Sequence, residues 1–463
     1  MSTPSTQPPA VEPLRPVDRA WLRMDTPENL MIITGVMYFE PAMDLATLRR
    51  VLETRLLRVR RFRQRVVDGP GGRACWQEDP AFDVGRHLRP LELPPPGDET
   101  ALQSVVGELM AQPLPHDEPL WRFYLVERYK GGSVLISRLH HAIGDGVALM
   151  MVLLSLTDLE PRPGAETEDS PFSALMHDNH EVRHAAAERA RDVLPEVIAL
   201  MSRSRAAADR ARAKLLLRLS ADFGRLVARL PDPKTPFKGR LGVNKRVSWS
   251  QPVSLGDVRA IKNAVGGTVN DVLLTAMSGA LRRYLQRRRH PVDGLNLRAA
   301  MPVSLRKLDQ LADLGNRFGL VFVSLPVGID DPRARLAELK RRTEALKGSL
   351  EAAIALGFLH GMGHAPRAIQ RLVERIFGSK ATAVMTNVPG PRQTLYLGGR
   401  AIRDLLFWVP QSGRLGMGIS ILSYDGRVRL GIATDERLIP DPHAIADCFH
   451  HELDAMLELA RGS

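Results

Sequence analysis

Cysteine is almost missing from this 463-residue sequence: Cys75 and Cys448 are the only two, and they lie far apart. Such a pair gives neither a disulfide framework nor a zinc-ligand spacing, and it suits a reducing cytoplasm. Aromatic residues are sparse, at 5 %. No apolar run approaches the roughly 18 to 20 residues that a membrane-spanning helix needs. The polar, proline-bearing N terminus has no basic and apolar segments of the kind that make a secretion signal. The sequence also contains no Gly-x-Ser-x-Gly, no Gly-x-x-x-x-Gly-Lys, no dinucleotide fingerprint, no His-Glu-x-x-His and no internal repeat. Serine hydrolases, nucleoside triphosphatases, nicotinamide enzymes and metallohydrolases therefore lose support.

What is present has the composition of a soluble globular protein, 44 % apolar and 25 % charged, at a length comfortable for two domains. The net charge of +12 is unevenly placed: residues 181–246 carry 16 Lys+Arg against 7 Asp+Glu, a surplus of 9. No nucleic-acid module accompanies this stretch, so nucleic acid is not the expected partner. Between Lys214 and Leu230 a helical projection gathers Leu215, Leu216, Leu219, Phe223, Leu226, Val227 and Leu230 into one arc of about 120°, with Lys214, Arg218, Arg225 and Arg229 beside it. A helix packed on the protein's own core accounts for this pattern, and so does a helix lying on an anionic membrane or lipid-droplet surface.

The most informative stretch is His140-His141-Ala142-Ile143-Gly144-Asp145-Gly146. The run Ser133 to Leu139 before it is apolar and β-branched after a Gly-Gly turn, which predicts a strand; Val147 to Leu154 after it predicts a buried helix. Side chains alternate along a strand, so the two histidines point to opposite faces and cannot share one job. Adjacent diverging histidines also argue against a metal site. An imidazole can take a proton from an alcohol near neutral pH and return it to a leaving group. Asp145 has two possible uses, orienting the imidazole or pairing with an arginine. Gly144 and Gly146 permit backbone geometry or a close approach that a Cβ would block.

The seven residues resemble the His-His-x-x-x-Asp-Gly signature of the CoA-dependent acyltransferase superfamily, which includes chloramphenicol acetyltransferases and peptide-synthetase condensation domains. Further blocks resemble, in order, those of the bacterial wax ester synthase/acyl-CoA:diacylglycerol acyltransferase family: Pro16-Val17-Asp18 with Trp21-Leu22, Pro119-Leu120-Trp121, Thr268-Val269-Asn270-Asp271-Val272, Met301 to Arg306, Gly315 to Gly319 and Thr386 to Pro391. The chain departs from that pattern at Met31-Ile32-Ile33-Thr34-Gly35, where many members carry a Met-His-Val-Gly-Gly-like stretch. The resemblance implies a two-domain α/β fold of the chloramphenicol acetyltransferase type, with mixed sheets and an active-site tunnel at the domain interface. It implies transfer of a long-chain acyl group from acyl-CoA to diacylglycerol or a fatty alcohol, with acyl-CoA as substrate and no cofactor or metal. His141 is then the general base, with His140, Asp145 and Gly146 in the same catalytic motif. Asn270 and Asp271 are expected at the substrate, a place that an ordinary helix start also accounts for, and Arg306 as the structural partner of Asp145; Trp121 reads as a core aromatic or, alternatively, as a substrate residue lining the lipid tunnel. A condensation-type transferase with a carrier-bound or small acceptor, and a lipid-surface binding protein without turnover, are the alternatives.

The remaining punctuation divides the chain into a disordered tail over 1–13, an N-terminal domain over 14–160, a basic helical crossover over 161–245 and a C-terminal domain over 246–463. Within these, Asp44 to Val59 has the spacing of one helix, and Arg58, Arg60, Arg61, Arg63 and Arg65 form a basic run that is either solvated or suited to phosphates. Thr268 is a candidate cap for a helix reaching Leu285, and Leu415 to Thr434 for a hairpin. The expected location is cytoplasmic, peripheral to membrane or lipid droplet.

Overall fold

In the computed structural model the described residues are 11–161, 230–305, 314–346, 351–362, 378–411 and 413–462, with isolated positions between 365 and 376. Two mixed α/β halves are each built on a sheet. The first sheet has six strands in the order Tyr396–Leu397, Arg400–Trp408, Ile32–Glu40, Gly132–His140, Trp121–Tyr129 and Leu88–Pro90. The central Gly132–His140 strand is buried along its whole length, which is why apolar residues stand on both of its faces rather than alternating with polar ones, and its Ser137 and Arg138 are buried with them. Lys130 and Gly131 both have positive φ, 48° and 82°, and close the tight hairpin that leads into it.

The second sheet runs Phe318–Leu325, Leu297–Ser304, Ala383–Pro389, Met417–Tyr424, Arg427–Asp435 and Lys245–Trp249, with Val253–Ser254 beside Arg427–Asp435. Ala383–Pro389 is parallel to both of its neighbours and the other pairs are antiparallel, so the expected mixed sheet is present. The expected hairpin turns at Asp425 and Gly426, again both at positive φ. Over this sheet lie the helices Val269–Arg287 and Pro442–Arg461, whose apolar faces share one core. Between them the buried Arg335 and Glu452 pair at 2.8 Å, in space that the missing side chain of Gly279 leaves open.

The halves exchange elements. Arg400–Trp408 comes from the C-terminal half yet pairs with Ile32–Glu40, from Ala401 opposite Glu40 to Trp408 opposite Thr34. In return, the Pro16–Met24 helix places Val17, Ala20, Trp21 and Met24 in the core of the second half.

Two expectations are corrected, and a third is refined. Val11–Pro13 is not part of a disordered tail but a strand paired with Cys75, Trp76 and Gln77. The helix begun at Asp44 ends at Thr54, and two short 3-10 turns, Leu56–Arg58 and Arg60–Arg63, carry Leu56 and Phe62 into the core separately. In the basic run, Arg60 and Arg63 meet Glu78 and Arg61 meets Glu12, so these three guanidinium groups have protein partners. The amphipathic segment 214–230 lies outside the described residues except for Leu230, which is exposed.

Candidate active site

His141 follows the motif strand directly, in the turn before the Gly146–Ser155 helix. Its backbone N–H donates to Met31 O at 2.7 Å, which fixes the turn against the neighbouring strand. Its ring is stacked on Trp21, with centroids 4.1 Å apart and planes 17° from parallel, and Phe318 lies 5.4 Å away on a tilted plane. Nδ1 of His141 meets Asn316 Oδ1 at 2.7 Å. The amide nitrogen of Asn316 in turn donates to Asp18 Oδ1 and to His141 O, both at 2.8 Å. The first half thus supplies Asp18, Trp21 and His141, and the second supplies Asn316 and Phe318. The histidine sits where the halves meet.

Burial dominates the electrostatics. It pushes the His141 imidazole down to about 4, although the charge of Asp145 and the bond to Asn316 favour the protonated ring. His141 is therefore neutral throughout the neutral range. Burial pushes the Asp18 carboxyl the other way, up to about 6, against the opposing pull of Asn316, Arg15 and Arg61.

The two histidines diverge as strand alternation demands. His140 Nε2 lies 3.1 Å from Asp25 Oδ2, and its Nδ1 accepts the Ala142 N–H at 3.0 Å. The expectation that His140 belongs to the catalytic set is corrected, because neither ring nitrogen is left for a substrate. Asp25 also accepts the Met31 N–H and faces His116. Desolvation opposes its charge, but the contacts with His116 and His140 prevail and hold its carboxyl well below the usual carboxylate range.

Asp145 is buried and caps the Gly146–Ser155 helix, accepting the Ala148 N–H at 2.9 Å, while its other oxygen accepts the Arg317 N–H at 2.8 Å. Its own N–H donates to Gly315 O, so Asp145 stitches the motif loop to the other half by two hydrogen bonds. Arg306 lies outside the described residues. Gly144 packs so closely that a Cβ would meet that of Ala148 at 3.2 Å, whereas one at Gly146 would meet nothing within 4 Å. Only the second glycine fronts open space.

Thr268 and Asp271 form a reciprocal capping box at the start of the Val269–Arg287 helix. Asp271 Oδ2 accepts from Thr268, and Oδ1 accepts the Thr343 hydroxyl at 3.1 Å. The expectation of Asp271 as a substrate residue is corrected: both carboxylate oxygens serve the helix start and its packing. Asn270, partly exposed beside it, accepts from Asn387 Nδ2 at 2.9 Å through its own carbonyl. Of the two readings of Trp121 the core one holds, and the substrate one is corrected. It is fully buried, donates its indole N–H to Phe62 O at 2.8 Å and stacks on His87, so it is core and lines no substrate space.

Asn316, Asp18 and Trp21 were not singled out as functional by sequence reasoning. Asp18 and Trp21 stand three residues apart, hence on one helix face, but no local pattern says which histidine that face will meet. Among the described residues no cluster of His, Cys, Asp and Glu has the arrangement of a metal site.

The chain matches the wax ester synthase/diacylglycerol acyltransferase catalytic domain over residues 14–273 and the WS/DGAT C-terminal domain over residues 314–457. It belongs to this family of acyltransferase enzymes. A Mycobacterium tuberculosis protein assigned as a diacylglycerol O-acyltransferase is 28 % identical over 97 % of this chain and 91 % of its own length. The fold is that of the wax ester synthase/diacylglycerol acyltransferase from Marinobacter aquaeolei VT8, with a TM-score of 0.68 and 22 % identity over 98 % of this chain and 100 % of that one. The first condensation domain of the calcium-dependent antibiotic synthetase shares the fold at a TM-score of 0.59 and 15 % identity, over 97 % and 96 % of the two chains. Among the described residues no helix is long and apolar enough to cross a membrane.

Proposed function

We propose that this family member moves a long-chain acyl group from acyl-CoA to the hydroxyl of a diacylglycerol or a fatty alcohol, with His141 as the general base. The observation that carries the reading is the place of His141 within a chain of this family, buried where the halves meet with Nδ1 at 2.7 Å from Asn316 Oδ1. The imidazole is neutral, and with Nδ1 donating to Asn316 its lone pair resides on Nε2.

Nε2 takes the proton of the acceptor hydroxyl as the oxygen attacks the thioester carbon. The tetrahedral oxyanion needs N–H donors, and Asn270 is the candidate: its carbonyl is occupied by Asn387, leaving its amide hydrogens to donate. Collapse breaks the carbon–sulfur bond and releases CoA thiolate, which recovers the proton from the histidinium. Ester and free CoA thiol are the products, without an acyl-enzyme. His140 and Asp145 hold the turn, and the space at Gly146 admits substrate. Contact with an anionic lipid surface through the cationic amphipathic segment 214–230 accounts for access to water-insoluble acceptors, and flotation with anionic vesicles tests it.

The decisive assay is thiol release from palmitoyl-CoA by the purified protein, with hexadecanol, with dipalmitin-type diacylglycerol and with no acceptor, alongside His141→Ala. Release that requires an acceptor and falls by about 10²-fold or more in the variant is expected. Normal turnover by a folded His141→Ala protein would overturn the assignment of the base. No release with any acceptor would turn attention to a carrier-bound donor or a non-catalytic lipid-binding role.

A further inference from the structure

An imidazole acts as a base at only one ring nitrogen at a time, and which nitrogen that is depends on the hydrogen bond made by the other. At His141 the other bond is to a side-chain amide, which can present either an acceptor or a donor. The direction of that amide therefore decides where the base's lone pair sits.

The direction of the Asn316 amide is fixed by its surroundings. One end lies 2.8 Å from two acceptors, the carboxylate oxygen of Asp18 and the backbone carbonyl of His141 itself. Turned about, the amide would set its oxygen against both, and two buried repulsive contacts would replace two hydrogen bonds. Its NH2 must face Asp18 and the carbonyl, so its oxygen must face His141 Nδ1, at 2.7 Å. The Asn316 backbone N–H also donates to Asp18 Oδ1, at 3.2 Å, which ties the same carboxylate to both ends of the residue. The ring plane is held separately by the stack on Trp21. Asp18 and Trp21 ride on the Pro16–Met24 helix, which the first half lends to the second half's core, and Asn316 follows Gly315, whose carbonyl receives the Asp145 N–H.

We propose that Asn316 is a positioning residue that fixes the Nδ1–H tautomer of His141, and that Asp18 and the His141 carbonyl act together to fix the direction of the Asn316 amide. The base is thereby defined by both halves of the molecule. With Asn316 accepting from Nδ1–H, Nε2 is the nitrogen that receives the acceptor's proton. This inference rests on the reading of His141 as the general base.

The test compares two substitutions whose effects on stability and on catalysis run in opposite orders. Asn316→Leu keeps the approximate size of the side chain and removes the acceptor. Asn316→Asp keeps an acceptor toward Nδ1–H but places a second carboxyl beside the buried Asp18. A role confined to packing and stability makes Asp the more damaging replacement, because like charges are buried together. A tautomer-fixing role makes Leu the more damaging one. With palmitoyl-CoA and the acceptor that the parent protein uses best, Asn316→Leu is expected to lower kcat by about 10²- to 10⁴-fold, the scale seen when a catalytic imidazole is left in the wrong tautomer, with KM changed only a few-fold. Asn316→Asp is expected to stay within about tenfold of the parent kcat, with the acid limb of its pH–rate profile moved upward, because a carboxylate beside the ring favours the imidazolium.

A second readout does not depend on turnover. In protein carrying 15N-labelled histidine, the His141 resonances, assigned by their loss in His141→Ala, report which ring nitrogen holds the proton. Parent and Asn316→Asp are expected to show protonated Nδ1, and Asn316→Leu to lose that preference. An Nε2–H tautomer in the parent protein, or a kcat for Asn316→Leu equal to or above that of Asn316→Asp, overturns the proposal. If instead His141→Ala retains turnover while the tautomer is as expected, the assignment of the base fails and the account of the hydrogen bonds stands.

Discussion

Replacing Asp18 with asparagine should stabilise the folded protein at alkaline pH, although it removes a charge from a hydrogen-bonded network. Burial raises the Asp18 carboxyl from its ordinary value of 3.8 to about 6. The folded state therefore binds this proton more tightly than the unfolded state does. Above pH 6 the fold must keep a carboxylate that its surroundings disfavour, and the shift corresponds to a penalty of about 3 kcal/mol. As the pH falls through 6 the penalty begins to lift, roughly half remains at pH 5, and below 3.8 it is gone. Asparagine retains an oxygen for the two Asn316 donors and carries no charge, so the variant should gain up to about 3 kcal/mol at pH 8. His141 contributes with the opposite sign. Its lowered value of about 4 gives stability that is present above 6.5 and is lost as the pH falls toward 4. That contribution is shared by parent and variant and largely cancels between them. Urea unfolding of both proteins at pH 8 and pH 5 measures the difference. A variant that unfolds earlier than the parent at pH 8, or a gap of the same size at both pH values, would show that Asp18 is not held against its own desolvation.

Three further outcomes are expected. Asp145→Ala removes a helix cap and leaves the Arg317 N–H without its acceptor, which should cost about 2 to 4 kcal/mol in thermal or urea unfolding; an unchanged midpoint would refute this role. Trp121→Phe removes the bond to Phe62 O from a packed core and should lower stability by about 1 to 2 kcal/mol. It should leave the ratio of kcat/KM between long and short acyl-CoAs unchanged, and an altered ratio would return Trp121 to the substrate. Since burial holds His141 near 4, the acid limb of kcat/KM should lie well below the 6.5 of an ordinary histidine, and a limb centred at 6.5 would mean an imidazole far better solvated than the structure has it.

The sequence made the local elements legible because their signals are local. The motif strand, the buried helix after it, the cap at Thr268 and the hairpin at Asp425-Gly426 each rest on periodicity or on residues whose backbone preferences are known. His141 was legible for the same reason, as one of two histidines forced onto opposite faces. The partners that give it a tautomer were not. Asn316 meets His141 across a separation of 175 residues and Asp18 meets Asn316 across 298, and their types are ordinary at a strand edge and in a first helical turn. Trp121 and Asp271 show the converse case. Both belong to blocks that resemble family motifs, yet the indole and the carboxylate are consumed by the fold. A motif marks residues that a fold cannot spare, and burial and hydrogen bonding are needed to tell structural from chemical necessity. The strand exchange was equally hidden, since Arg400–Trp408 has the same pattern whichever sheet it joins.

That exchange has a consequence for how the protein is made. Ile32–Glu40 emerges early in synthesis, but the strand that covers one of its edges begins at Arg400. At typical rates of synthesis the exposed edge waits on the order of 20 to 70 s for its partner. During that time it is an open template for pairing with other chains. The six-stranded sheet cannot be completed while its own half is being translated, and the site at the junction forms after both. Newly made chains therefore depend on protection of this edge, and the yield of folded protein should respond to translation speed and to chaperone supply more than to the stability of the finished fold.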